Sequence, residues 1–307
     1  MKVSTTQYFN QSTQQLADIQ ASLSKTQTQL SLGKKITKPS DEPDKAAVLS
    51  RMQSVIARQQ NYQDAIKLAD ARFSAEESAL TGASDVLFRI KELTTQAASD
   101  TLGELDRKSI AQEIGNLRDQ LLSVANSQDA NGNYLFAGSR VDQPAFARNA
   151  SGQVSYQGDQ ARLQIQVGDN RRINLNRPGS DVFVRVVRTD HKGDTTAVDF
   201  FQALDDLTQA ITRSDRISIQ RGLGEIDTLQ SGISEGLGQL GADQAAAQAQ
   251  GSVLDQVILQ LKTSKSEVED LDYTEAIARM NRDELALQAA QGSFAKISQL
   301  SLFKYLG

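Results

Sequence analysis

The chain has 307 residues, of which 39% are hydrophobic and 23% charged, enough for one large domain or two to three modest ones. It contains no Cys, no Trp and one His, which excludes disulfides, thiolate nucleophiles and most zinc sites. A net charge of −5 without a strongly basic stretch argues against nucleic acid or an anionic membrane as the main partner.

The start, Met1 to Gln7, has no apolar core of a cleavable secretory signal, and no apolar run reaches the roughly 18 residues of a membrane span. Any export is therefore expected to use a route that reads no such signal. A first helix is expected from Ser4 to Leu32, stopped by Gly33, a favourable C-terminal cap. Phe9, Leu16, Leu23 and Leu30 recur every seven residues along it, with Ile19 on the same stripe. A seven-residue apolar repeat keeps one seam of a helix turned toward a partner helix. One narrow seam does not offset the backbone entropy of ordering so long a segment, so this helix needs something to lie against.

Lys34 to Asp44 read as a sharp joint. Lys38 precedes Pro39 and is pushed out of helical geometry, and Ser40 or Asp41 is placed to cap a new helix with Pro43 in its first turn. From Val48 to Ala97, alternating steps of three and four residues meet apolar side chains everywhere except Gln59, Glu76 and Thr94. Such a helix is a rod of roughly 75 Å at about 1.5 Å per residue. A shorter helix carries Ile110, Ile114, Leu117, Leu121 and Val124 on one face.

The period changes after Asn126. Asn131-Gly132-Asn133 is a turn, and beyond Phe146 the pattern alternates as strands do: Leu163, Ile165 and Val167 against Arg162, Gln164 and Gln166. Gly168-Asp169-Asn170 and Pro178-Gly179 turn the chain, the latter before a strand-like Val182-Phe183-Val184. Helical spacing returns with Phe200, Leu204, Leu207 and Ile211. A second rod follows from Ile219 to Val268, able to lie antiparallel to the first and to bury Ile66, Phe73, Leu87, Leu237, Leu240 and Ile258 between them. Gly222, Gly224, Gly232, Gly236, Gly238 and Gly241 fall inside this second rod at a cost of about 1 kcal/mol each relative to Ala. Close packing against a neighbour or a helix soft enough to bend would each account for them. At the end, Tyr273, Met280, Leu287 and Phe294 repeat the seven-residue spacing, with Ile297 beside them.

Catalytic chemistry has few residues to draw on. The single histidine, His191, lies in a polar loop, and no phosphate loop or dinucleotide fingerprint is present. Asp129, Asn131 and Asn133 match the first positions of a calcium loop, but Tyr134 and Arg140 stand where it requires Gly and Glu. Asp41, Glu42 and Asp44 suit helix capping better than acid–base work. Arg171, Arg172 and Arg177 are expected on the solvated face of a hairpin. No catalytic residue, metal site or cofactor is assigned.

Several stretches resemble one family. Gly33-Lys34-Lys35-Ile36-Thr37-Lys38-Pro39-Ser40-Asp41-Glu42-Pro43, Asn131-Gly132-Asn133-Tyr134-Leu135-Phe136-Ala137-Gly138, Pro144-Ala145-Phe146 and Tyr156-Gln157-Gly158-Asp159 carry the likeness. Pro178-Gly179-Ser180-Asp181-Val182-Phe183 and the ending Leu300-Ser301-Leu302-Phe303-Lys304-Tyr305-Leu306 complete it. Together with the paired terminal heptads they resemble the bacterial flagellin superfamily, and within it the hook-associated proteins that join hook to filament.

The resemblance implies a structural adaptor between hook-associated protein 1 and flagellin, self-associated in a junction layer, with flagellin itself as the alternative reading. It also implies export by the flagellar type III system, an extracellular location and a cytosolic export chaperone, with no nucleic acid and no membrane insertion. The expected fold is mainly α: an elongated antiparallel helical rod with coiled-coil-like paired terminal helices and a small β-rich inserted domain at its tip. Residues 1–40 and 270–307 would form the terminal core, 41–132 and 198–269 the rod, and 133–197 the outer domain. The assembly seams would be Phe9, Leu16, Ile19, Leu23 and Leu30 with Tyr273, Met280, Leu287, Phe294 and Ile297.

Overall fold

A computed structural model describes the backbone of residues 2–150, 152–189 and 194–306, and the side chains of residues 7, 9–150, 152–189 and 194–296. His191 and its neighbours 190–193 lie outside the described residues. Helix α1 spans Lys2–Leu32 and ends at Gly33, whose φ of +67° is the left-handed cap that the sequence anticipates. Helix α2 spans Pro43–Ala97 and α3 Glu104–Ala125. Three short strand pairs follow: β1 (Phe146–Arg148) with β2 (Val154–Tyr156), β3 (Gln164–Gly168) with β4 (Arg171–Asn174), and β5 (Val186–Thr189) with β6 (Thr195–Val198). The one-turn helix α4 (Gly179–Val182) precedes β5. Helices α5 (Phe200–Thr212), α6 (Arg216–Glu269) and α7 (Tyr273–Leu306) complete the chain.

Two local expectations need correction. Neither Ser40 nor Asp41 caps α2. The helix opens on Pro43, and the carbonyl of Glu42 accepts its first bond, from Ala46 N at 2.9 Å. Pro has no N–H to leave unpaired there, so the first turn tolerates it without a side-chain cap. Asp41 instead ties the preceding turn, accepting from Thr37 Oγ1 and from Lys38 N, both at 3.1 Å. Val182-Phe183-Val184 is not a strand either. Val182 ends α4, because Phe183 N donates to Gly179 O at 2.8 Å and closes a helical turn.

Contacts divide the chain into two units: residues 1–58 with 256–307, and residues 59–255. In the second unit, α2 and α6 run antiparallel. Gln63 bonds to Asp255, Gln244 to Glu77 at 2.9 Å, Gln230 to Ser84 at 2.6 Å and Lys91 to Asp227 at 2.5 Å, partners falling in number on α6 as they rise on α2. Ile66, Phe73, Leu80, Leu87 and Ile90 of α2 and Ile226, Leu229, Ile233 and Leu240 of α6 are all buried in one core cluster. The expected set holds for Ile66, Phe73, Leu87 and Leu240, whereas Leu237 is only half-buried. Ile258, in the other unit, is buried as well.

Helices α3 and α5 pack on each other and share this core through Ile110, Ile114, Leu121, Phe200, Leu204, Leu207 and Ile211. The strands form three separate two-stranded antiparallel hairpins among the described residues, and no single sheet. Each hairpin is too small to stand alone and borrows its apolar cover from the helices. Val167 and Ile173 of β3–β4 and Val186 of β5 belong to the same core cluster.

The six glycines between Gly222 and Gly241 of α6 fall into two kinds. A Cβ at Gly222 would stand 2.6 Å from Leu207 Cδ1, at Gly232 2.7 Å from Val184 Cγ2 and 2.9 Å from the Val182 carbonyl oxygen, and at Gly236 3.2 Å from Val182 Cγ2. These three are sites of close approach. Gly224, Gly238 and Gly241 would meet nothing within 4 Å.

Candidate assembly surface

The terminal seams lie in the first unit. Helices α1 and α7 pack antiparallel on each other. The Phe9 and Phe294 rings meet at 4.7 Å between centroids, and Ser22 Oγ donates to Asp283 Oδ2 at 2.7 Å. Steps of seven forward from Phe9 and backward from Phe294 then bring Leu16, Leu23 and Leu30 to the levels of Leu287, Met280 and Tyr273. Both helices have the same rise per residue, so their two heptads run in step.

This pairing buries little. Leu16, Ile19, Leu23, Leu30, Met280, Leu287 and Phe294 are half-buried, while Phe9 is 46% and Tyr273 53% exposed. Ile297 has its side chain outside the described residues. Among described side chains of α1 and α7, only Thr26, Gln29 and Ala276 are buried. Leu32, Ile277 and Leu285 add further exposed apolar surface. A two-helix pair without a closed core leaves apolar side chains in contact with water.

A polar clip closes the open end of the pair. Leu271 N donates to Gly33 O at 3.0 Å and Lys35 N to Glu269 O at 2.7 Å, while Lys34 Nζ meets the Glu269 carboxylate at 2.7 Å. Lys34, then Lys265, holds the Glu269 carboxyl below its ordinary range despite partial burial. Asp41 is likewise held low, first by Lys25, whose Nζ lies 3.0 Å away. A Cβ on Gly33 would approach the Tyr273 hydroxyl to 2.8 Å, so the cap glycine also seats the first residue of α7. Sequence reasoning flagged the cap and the heptads but missed the buried Gln29, whose Nε2 donates to Lys35 O at 2.5 Å. A polar residue one turn from a cap is a common sight on an exposed helix and gives no signal of its own.

In the second unit, segments scattered in the sequence converge. Gly179 N donates to Phe136 O at 2.8 Å, and the Tyr156 hydroxyl lies 3.0 Å from that same oxygen and 2.7 Å from Asp159 O. Burial pushes the Tyr156 phenol up to about 12, so it remains a donor at any physiological pH. Phe183 meets Phe136, Phe146 and Phe200 edge-on at 5.2–5.4 Å. Asp159 accepts from Ser139 N at 2.8 Å and Ala161 N at 3.0 Å, against Gly138 at φ +71°. The three motif-like stretches around Phe136, Tyr156 and Gly179 are one packed knot.

A buried ion cluster lies in the same unit. Arg177 is not on a solvated face: only 5% exposed, it donates Nη1 to Glu76 Oε1 at 3.0 Å and Nη2 to Asp243. The strand register ends at Asn174, so Arg177 is free to turn inward onto α2 and α6. Arg171 and Arg172 are exposed as expected. Arg72 donates to Asp129 Oδ2 at 2.8 Å and to Leu135 O at 3.2 Å. Asp129 also accepts from the backbone N–H of Asn131 and Asn133, at 2.9 and 3.0 Å, so its calcium-like spacing serves a turn. Burial opposes ionisation of Asp129, yet those N–H groups and Arg72 outweigh it and hold its carboxyl low.

Residues 3–141 match the bacterial flagellin N-terminal helical region, and residues 223–306 match the bacterial flagellin C-terminal helical region. The flagellar hook-associated protein 3 of Salmonella typhimurium is 27% identical over 320 residues, covering 99% of both chains. A flagellin of Listeria innocua is 26% identical, covering 97% of this chain and 96% of its own. The solved flagellar hook-associated protein-3 from Legionella pneumophila shares the fold, with a TM-score of 0.65 at 17% identity over 71% of this chain and 98% of that one. Matched flagellin regions at both ends, a full-length hook-associated relative and a shared fold agree: the chain belongs to the bacterial flagellin superfamily, in its hook-associated protein 3 family.

Proposed function

We propose that the chain is a structural adaptor of the hook–filament junction and that its α1–α7 surface is the contact by which neighbouring subunits hold it. The observation that carries this is the half-buried double heptad, in step across the pair yet without a closed core. Subunits in a tube meet head-to-tail, so one face of the pair serves the hook side and another the filament side. Hook-associated protein 1 and flagellin are the partners proposed for those faces, with copies of the chain beside it in one layer and a cytosolic chaperone before export. Residues 1–40 with 270–307 act as assembly core, 41–132 with 198–269 as rod and 133–197 as outer domain. The work is mechanical, and no catalysis is assigned.

Leu23→Asp combined with Leu287→Asp tests this. The double variant should be exported with its 59–255 unit folded, yet fail to incorporate, so that flagellin is lost to the medium. Normal filaments on the double variant would refute the assembly role of the seam. Labelled-antibody electron microscopy separates junction from filament subunit: label confined to the filament base fits the adaptor, and label along its length fits a flagellin.

A further inference from the structure

Glu76 occupies a seam position of α2 that its apolar neighbours would fill with a hydrocarbon side chain, and its side chain is 1% exposed. Five charged groups surround this point. Arg72 and Glu76 come from α2, Asp243 from α6, Asp129 from the loop after α3, and Arg177 from the segment between β4 and α4. Three carboxylates thus share two guanidinium groups. Arg72 is committed to Asp129 and to the carbonyls of Tyr134 and Leu135. Arg177 is divided between Glu76 and the more exposed Asp243. The most deeply buried carboxylate is therefore left with half a counter-charge, an arrangement in which desolvation of an ion is poorly offset.

We propose that Glu76 is a proton-linked clamp between the 127–185 segment and the α2–α6 pair, seating that segment more firmly when protonated than when ionised. Arg177 lies two residues before Gly179, whose N–H bond to Phe136 O anchors the aromatic knot, so the charge state of Glu76 is felt where the segment is pinned. Burial pushes the Glu76 carboxyl above its ordinary range against the pull of Arg177 and Arg72, and Asp243 adds to the push. A group whose pKa is raised in the seated state favours seating fully below its ordinary value and loses that contribution as pH rises through the raised value. Acidification from neutrality should therefore tighten the clamp until Asp129, held low, begins to protonate and release Arg72.

Hydrogen exchange on the full chain tests this through the Gly179 and Leu135 amides, whose acceptors are Phe136 O and Ser127 O. Protection, corrected for intrinsic rates, is compared from about pH 5.5 to about pH 8 in the wild type, Glu76→Gln and Asp243→Asn. In the wild type it should fall with rising pH, by up to about tenfold for each unit by which seating raises the Glu76 pKa. Glu76→Gln, a neutral isostere, should hold the acid-side protection across the whole range. Asp243→Asn frees Arg177 for Glu76 and should move the fall to lower pH. A Glu76→Gln profile parallel to wild type, or Gly179 less protected in that variant at every pH, would overturn the proposal. A carboxyl carbon resonance of Glu76 titrating in the ordinary carboxylate range would overturn it independently.

Discussion

Two glycines six residues apart on α6 should respond to the same substitution with opposite signs. Gly→Ala in a helix interior gains up to about 1 kcal/mol, because Ala loses less backbone freedom on folding. At Gly238 a Cβ meets nothing within 4 Å, so Gly238→Ala should stabilise by about 0.5–1 kcal/mol. At Gly232 the same carbon would stand 2.9 Å from the Val182 carbonyl oxygen and within 3 Å of both methyl groups of Val184. A backbone carbonyl at the end of α4 cannot swing aside as a side-chain tip can. Overpacking of this kind costs about 1–3 kcal/mol and should outweigh the propensity gain. The propensity gain is common to both, so the two variants should differ by about 1–3 kcal/mol, with Gly232→Ala the weaker. Gly222 is an intermediate case, because its obstacle is the mobile Cδ1 of Leu207. Urea melts at a common slope read the difference directly. Equal stabilisation by both substitutions would refute the close-packing account. Destabilisation by both would mean that α6 needs its glycines for flexibility.

Phe73 is fully buried in the core cluster that α2 and α6 share, and Phe73→Ala should cost about 3–5 kcal/mol through lost burial and the cavity left behind; a change below about 0.5 kcal/mol in denaturant melts would contradict that burial. The clip around Glu269 should weaken in acid. Its carboxyl is held low by Lys34 and Lys265, so the contribution is present above the ordinary carboxylate value and lost as pH falls through the lowered one. Protection of the Lys35 and Leu271 amides should drop across that range in the wild type and lose this pH dependence in Glu269→Gln; an unchanged profile in the variant would remove Glu269 from the clip.

What the sequence determined by itself is what depends on near neighbours along the chain. Helical periods run through α2 and α6 because apolar side chains three and four residues apart share a face whatever lies opposite. Gly33 marks the end of α1 because its left-handed φ is a local requirement, met wherever the chain must turn there. The two heptads announced a paired surface, and their matching spacing even fixed which residues come level once Phe9 meets Phe294. The family likeness was legible in motif stretches for a related reason: most of them are turns or joints with strict local demands, although the convergence of three around Phe136, Tyr156 and Gly179 was not visible.

Tertiary structure decided the fate of side chains whose partners are remote. Arg177 and Glu76 are 101 residues apart; Arg177 reads as a surface charge and Glu76 only as a gap in an apolar stripe. Only the fold, by removing both from water, turns them into a pair. The glycines of α6 divide on the same principle. Nothing in the sequence separates them, and the passage of α4 and Leu207 beside the helix decides which three meet a close neighbour. The hairpins likewise remained separate because alternation specifies a strand's two faces but not which other strands it will meet.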